Sequence, residues 1–318
     1  MTEKQSSWGR VFFIERIEKI DSANTVVERE HIEKIINEVG SKFSAEPIDR
    51  RTVKNIRDVR EAINDAGKVQ NAIVHFSGHG REDPRRYELK DENGNEEFLK
   101  VEELSRFFND FKNIRCVVFN FCNSLEFAKT TAKYVECAIG IAGTIASEEA
   151  IGFAEGFYKY LRDTEPEQRD VFYKAFNRGK DFSVGDDSQR FEIFLQPEVE
   201  IIEPKEDSPI PFRSDFKGTF KNLPENSKMW LSVYAPGAHK FYLVPIEEDR
   251  NYKTWEMPDH QVGREEDEGA EFKIGVIVIA DEKMNNDWST YAEKDGYFSL
   301  DHLPDGIRPL DERVVRRE

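Results

Sequence analysis

Two short stretches carry side chains suited to covalent chemistry. Residues 70–80 read QNAIVHFSGHG and residues 116–124 read CVVFNFCNS. In each, an apolar run of strand type breaks off into small and polar residues; His79 follows the first run and Cys122 the second. A thiolate can attack a carbonyl carbon and an imidazole can carry the proton to the leaving group, so the two together make an acyl-transfer dyad. Gly78 and Gly80 flank His79 and permit a tight departure from the strand that leaves the ring unobstructed. Cys122 precedes Asn123-Ser124 at the turn into a helix, where free backbone N–H groups favour a thiolate and can stabilise a developing oxyanion.

For these two ends to meet, the elements between them must lie in one sheet. VFFI at 11–14 fits a buried strand, and Val27, Ile32, Ile35, Ile36 and Val39 recur at helical spacing after it. Val53, Ile56, Val59 and Ile63 mark a second helix that delivers the chain to the strand at 72–76. Asn93-Gly94 between alternating residues is a hairpin signal, which places a small excursion outside the main sheet. A helix over 101–111, a strand over 116–121, a helix over 125–135 and a strand over 138–143 follow, then helices over 149–162 and 168–180. This alternation predicts an open, mostly parallel α/β sheet flanked by helices, whose strand ends converge on a crevice. His75, inside its strand, is expected to be structural, hydrogen-bonded beneath the site.

These residues resemble the caspase-like cysteine peptidases, the group of caspases, metacaspases, separases and gingipains, and more narrowly the bacterial CHAT type. The resemblance spans about residues 10–195 and rests on IVHFSGHG, VVFNFCNS and the later AIGIAG, EEAIGFAEGFY and YKAF segments. It implies His79 as general base, Cys122 as nucleophile and the backbone amides of Gly80 and Cys122 as the oxyanion hole, with protein substrates and neither metal nor cofactor in bond breaking. Asn120 stands where metacaspases use aspartate, and Ser147 where relatives often carry an acid, although Glu148 and Glu149 are adjacent. Asn120 and Glu148 are therefore candidates for a substrate pocket that leans to cleavage after Arg or Lys. Bacterial proteins of this look are often anti-phage effectors gated by a small nucleotide, so an activator such as a cyclic oligonucleotide or a cyclic ADP-ribose isomer is expected. The alternatives are a catalytically silent CHAT-type scaffold that binds a partner, and a cysteine acyl hydrolase with a separate orienting residue.

The segment IIEPKEDSPIPFRSD at 201–215 reads as a linker between a peptidase domain over 1–200 and a second domain over 216–318. MWLSVY, HKFYLVPI and FKIGVIVIA predict an all-β, sandwich-like regulatory or sensor domain. At least half of Trp230, Tyr234, Tyr242, Trp255 and Trp288 are expected to fill its core, and the terminal RVVRRE to be solvated. His239, Arg250 and Arg264 lie in its polar segments and are candidates to meet the phosphates of an activating nucleotide.

Composition bounds these readings. The chain has 318 residues, 38% hydrophobic and 12% aromatic, enough for a substantial core, and a formal net charge of −17. That charge argues against a nucleic-acid binder. No stretch is long and apolar enough to span a bilayer and MTEKQSSWGR has no signal-peptide character, so a cytoplasmic protein without membrane contact is expected, with homo-oligomerisation one route to control. Cys116, Cys122 and Cys137 have neither disulfide-framework nor zinc spacing; Cys116 and Cys137 read as small core residues.

Overall fold

A strand that is apolar at consecutive positions must be covered on both faces, and this condition builds the N-terminal half. The computed structural model describes residues 7–16, 22–80, 83–90, 95–168, 170–183, 186–223, 226–279, 282–304 and 307–318, and the chain divides into two units, Met1–Gln196 and Pro197–Glu318. The first unit begins with β1 (Val11–Arg16), α1 (Ser22–Ile36), β2 (Ile48–Val53), α2 (Ile56–Ala66) and β3 (Ala72–Ser77). A separate antiparallel pair, β4 (Arg86–Lys90) and β5 (Glu96–Lys100), comes next. The unit is completed by α3 (Val101–Arg106), β6 (Ile114–Asn120), α4 (Leu125–Thr131), β7 (Cys137–Ile141), α5 (Ser147–Arg162), α6 (Val171–Phe182) and β8 (Phe191–Leu195). The main sheet runs β2-β1-β3-β6-β7-β8, parallel throughout except that β8 is antiparallel to β7.

Alternation along the strands sends side chains into two cores. Phe12, Ile14, Val74, Phe76, Val117 and Phe119 pack with α2, α3 and α4 residues such as Ile63, Leu104 and Phe127. Val11, Phe13, Ile73, Cys116, Val118 and Ile139 pack with Ile32 of α1, Phe153 and Phe157 of α5, and Phe172 of α6. The result is a helix–sheet–helix sandwich, as the alternating pattern requires. Its edges were not legible. Polar IDRRTV forms β2, and its half-exposed side chains reflect pairing on one side only, with β1. Val53 therefore ends that strand rather than starting a helix, and Val39 lies beyond α1, fully exposed. α3 also stops at Arg106, short of the expected 111, and the Asn93-Gly94 turn lies outside the described residues.

The second unit corrects the domain boundary. The expected linker is strand: β9 (Glu198–Glu203), β10 (Ser208–Ile210) and β11 (Arg213–Lys221) occupy most of 201–215. Pro209 fits because β10 is a sheet edge, where a missing N–H costs nothing, Pro204 and Pro211 fall between strands, and Val199 and Ile201 of β9 point inward between exposed glutamates. β12 (Lys228–Ala235), β13 (Lys240–Pro245), β14 (Glu247–Asp249), β15 (Thr254–Gln261) and β16 (Glu271–Ile279) follow, then α7 (Glu282–Asp295), β17 (Phe298–Leu300) and β18 (Asp311–Arg317). One sheet runs β10-β18-β16-β12-β13-β17 and the other β14-β15-β11-β9. Phe216, Phe220 and Trp255 meet Leu231, Ile274, Val276 and Val315 between them.

The unit is not all-β. α7 covers the outer face of the larger sheet, where Trp288 and Ala292 pack on Trp230, Leu243 and Ile277. Asn285 fixes it there, accepting from Trp230 Nε1 at 3.1 Å and donating to the Ile279 carbonyl at 2.8 Å. Few of the residues of α7 are apolar, which hid its helical period in the sequence. The basic C-terminal stretch likewise is not a solvated tip: β18 lies between β10 and β16, and Val315 and Arg317 are buried. Among the described residues no helix is long and apolar enough to cross a membrane. A fragment over 197–318 should unfold in one cooperative thermal transition, whereas one over 216–318, lacking β9, β10 and the start of β11, should show none by circular dichroism. Equal transitions in the two would contradict this boundary.

Candidate functional site at two strand ends

Parallel pairing of β3 with β6 sets Ser77 directly opposite Asn120, so the two strands end level. His79 and Cys122 each lie two residues beyond that last pair. The chain segments touch there: a Cβ placed on Gly80 would fall 1.6 Å from the carbonyl oxygen of Cys122 and 2.9 Å from its Cα. Position 80 thus admits only glycine, because the neighbour is backbone and cannot rotate away. His79 is exposed and Cys122 half-buried. Cys116 and Cys137 are fully buried, and burial beside Cys116 pushes the Cys137 thiol up.

The turn after Cys122 is tightly fixed. Asn123 takes a left-handed φ of 59°, which asparagine tolerates better than most residues, and its N–H donates to the Gly143 carbonyl at 2.7 Å. Ser124 is buried; its hydroxyl donates to the Phe119 carbonyl at 2.8 Å and accepts from Ile141 N–H at 2.9 Å, tying β6 to β7. The Asn123 amide is therefore engaged and does not serve the sulfur, contrary to the sequence expectation. The N–H that approaches Cys122 Sγ is that of Ile145, at 3.4 Å, from the loop between β7 and α5. The carbonyl of Ile145 lies farther off, at 3.8 Å.

Beneath the strand ends, on the α1 and α5 side, lies a buried polar network that sequence reasoning missed. Glu28 of α1 is 4% exposed and receives Asn120 Nδ2 at 2.5 Å, Ser77 Oγ at 2.5 Å and His75 Nε2 at 2.8 Å. Tyr158 of α5 reaches His75 Nδ1 at 3.1 Å, and Phe13 stacks on the His75 ring with centroids 5.1 Å apart. Burial holds the Tyr158 phenol well above its ordinary range, so it stays protonated and can donate to Nδ1 while Nε2–H donates to Glu28. Asn120 also donates to the Ala150 carbonyl at 3.0 Å, but its Oδ1 is buried without a hydrogen-bond partner among the described residues. A lone glutamate in a mostly polar helix start gave no signal; only the fold turns Glu28 inward.

The remaining candidates are dispersed. Glu148 sits exposed in the first turn of α5, and the buried acid near the strand ends is Glu28. In the second unit Arg250 pairs with Glu248 at 3.0 Å and donates to the Ser227 carbonyl beside the start of β12, whereas exposed His239 follows the end of that strand with a φ of 52°. Arg264 lies past the far end of β15 from Arg250 and approaches Glu266 at 3.6 Å. These three residues do not form one site, because β12 and β15 separate Arg250 from the other two.

No family profile and no curated protein matches this chain. Among solved structures, a complex of Dpr1 IG1 with DIP-eta IG1 aligns at 7% identity and a TM-score of 0.19, covering 38% of this chain and 94% of that one. The endo-beta-1,4-mannanase from Thermotoga petrophila aligns at 11% identity and a TM-score of 0.24, covering 91% and 70%. Such low TM-scores carry no argument about either unit. The backbone contact at the site does make a prediction: Gly80→Ala should destabilise the chain by about 1–3 kcal/mol in urea unfolding, since overpacking here meets backbone. Unchanged stability would mean that the two strand ends do not touch.

Proposed function

We propose that this chain is a cysteine endopeptidase of caspase-like type, with His79 and Cys122 as its dyad. The observation that carries the reading is the equal offset of the two residues past a level, hydrogen-bonded strand pair, with Gly80 packed on the Cys122 backbone. A sheet of order β2-β1-β3-β6-β7-β8, mostly parallel, supports it, as does the resemblance of the flanking motifs. In this mechanism the Cys122 thiolate attacks the scissile carbonyl and the amides of Gly80 and Cys122 meet the oxyanion. His79 protonates the leaving amine, and water then attacks the thioester with His79 as base, releasing the acid and restoring the thiol.

The lean to Arg or Lys before the scissile bond moves from Glu148 to Glu28. A cationic side chain entering beside Ser77 and Asn120 would replace one of the donors that now fill Glu28, and would meet a carboxylate in low dielectric beside Asn120 Oδ1, which has no hydrogen-bond partner among the described residues. The second unit carries neither member of the dyad, so its proposed role is control of a cytoplasmic anti-phage effector by a nucleotide-type signal. A switch from about 1% to 99% active needs roughly ten-thousand-fold preference for the active state, which a nucleotide's phosphates and base can supply.

Digestion of a peptide library by the purified full-length chain, with and without a bacterial nucleotide extract, tests the dyad. Cys122→Ala and His79→Ala should each lower cleavage by at least about a thousandfold with the fold intact, and Cys116→Ala should not. Undiminished turnover in Cys122→Ala would end the peptidase reading. With cleavage established, Glu28→Gln should reduce kcat/KM for Arg and Lys substrates about tenfold or more relative to an apolar substrate. An unchanged ratio would remove Glu28 from the pocket.

A further inference from the structure

The loop that brings an N–H to the nucleophile's sulfur is held from behind by one arginine. Arg190 closes a short 3-10 turn, Asp186–Arg190, immediately before β8. Its carbonyl accepts from Ala142 N–H at 2.8 Å, and its guanidinium Nη1 donates to both the carbonyl of Thr144 and Thr144 Oγ1, the latter at 3.2 Å. On the other side Asn123 N–H holds the Gly143 carbonyl at 2.7 Å. Gly143 turns the loop with a φ of 78°, and Ile145, next after the clamped Thr144, presents its N–H to Cys122 Sγ at 3.4 Å.

We propose that Arg190 is a positioning residue for the nucleophile: by fixing the 142–146 loop it aims the Ile145 N–H at the Cys122 sulfur and so sets its reactivity. This rests on the peptidase reading only in naming Cys122 the nucleophile. The two atoms of Ile145 act in opposite directions, since a donor N–H stabilises a thiolate and a carbonyl acceptor stabilises the neutral thiol. The N–H is the nearer of the two, at 3.4 Å against 3.8 Å, so the clamped loop turns its donor toward the sulfur. Released from Arg190, the loop has one fewer side-chain anchor, and the 3.4 Å contact is the one to lengthen. The guanidinium bonds to Thr144 are charge-assisted, which suits a part that must hold a loop to within a few tenths of an ångström.

Site-resolved alkylation of the full-length chain by iodoacetamide, followed by mass spectrometry, reads this without any peptide substrate. At pH 7 Arg190→Ala should alkylate at Cys122 at least about tenfold more slowly than wild type, the worth of one hydrogen bond to a charged group, and Arg190→Lys should recover part of the rate. At pH 10, where thiols ionise without assistance, the rates should converge. Gly143→Ala is a second variant: its Cβ meets nothing within 4 Å, so it perturbs only the loop backbone, and it should slow Cys122 in the same way. An unchanged rate at pH 7 in Arg190→Ala would overturn the proposal, whatever Gly143→Ala does. So would general loosening, seen as alkylation of the fully buried Cys116 and Cys137, because Arg190 would then be a structural residue alone. A wild-type chain that cleaves no peptide with or without the nucleotide extract yet shows the alkylation differences would overturn the peptidase reading and uphold the role of Arg190.

Discussion

The level ending of β3 and β6 is the constraint on which the site depends. Ser77 opposite Asn120 fixes the height at which both strands stop, and the Gly80 backbone resting on Cys122 fixes how close the chain runs beyond them. A one-residue slip in that register would turn Ser77 and Asn120 to opposite faces and would separate the two strand ends. Register is secured by burial, because the alternate positions Ile73 and Val74, and Val117 and Val118, must enter different cores. The hydrophobic pattern that makes the sheet is therefore also what aligns the histidine and the cysteine.

Glu28 adds a second constraint. A buried carboxylate is tolerated when its oxygens are filled by donors, and His75, Ser77 and Asn120 supply them from the two central strands. The same bonds hold α1 against the carboxyl ends of β3 and β6, so the helix position and the polar floor of the site are set together. Removing the acid would leave three buried donors facing one another, at a cost of about 1–3 kcal/mol for each left unsatisfied. Tyr158 extends the network to α5, whose preceding loop carries Ile145. Nucleophile, floor and loop thus share one set of supports.

Legibility followed burial. Strands covered on both faces, such as AIVHFS and IRCVVFN, announce themselves by consecutive apolar residues, and the dyad candidates stand at their ends. Edge strands do not: IDRRTV is half solvated and reads as loop, and the strands over 198–221 were hidden by proline and charge. α7 was hidden because an outer helix needs only the few apolar contacts that Met284, Trp288 and Ala292 make. Glu28 and Arg190 were illegible for a different reason. Their partners come from elements distant in sequence, and no local pattern marks a charged residue that the fold will turn inward or use as a clamp.

The central claim is that two strand ends form one site, and proximity can be measured directly. In a His79→Cys variant the new thiol should lie within disulfide reach of Cys122, whose backbone is already in contact with residue 80. Mild oxidation of the full-length variant, followed by tryptic mapping, should yield a peptide pair linked through residues 79 and 122 and no link to Cys116 or Cys137. Failure to cross-link while both thiols remain open to alkylation would show that the two ends stand apart, and with that the dyad would be lost.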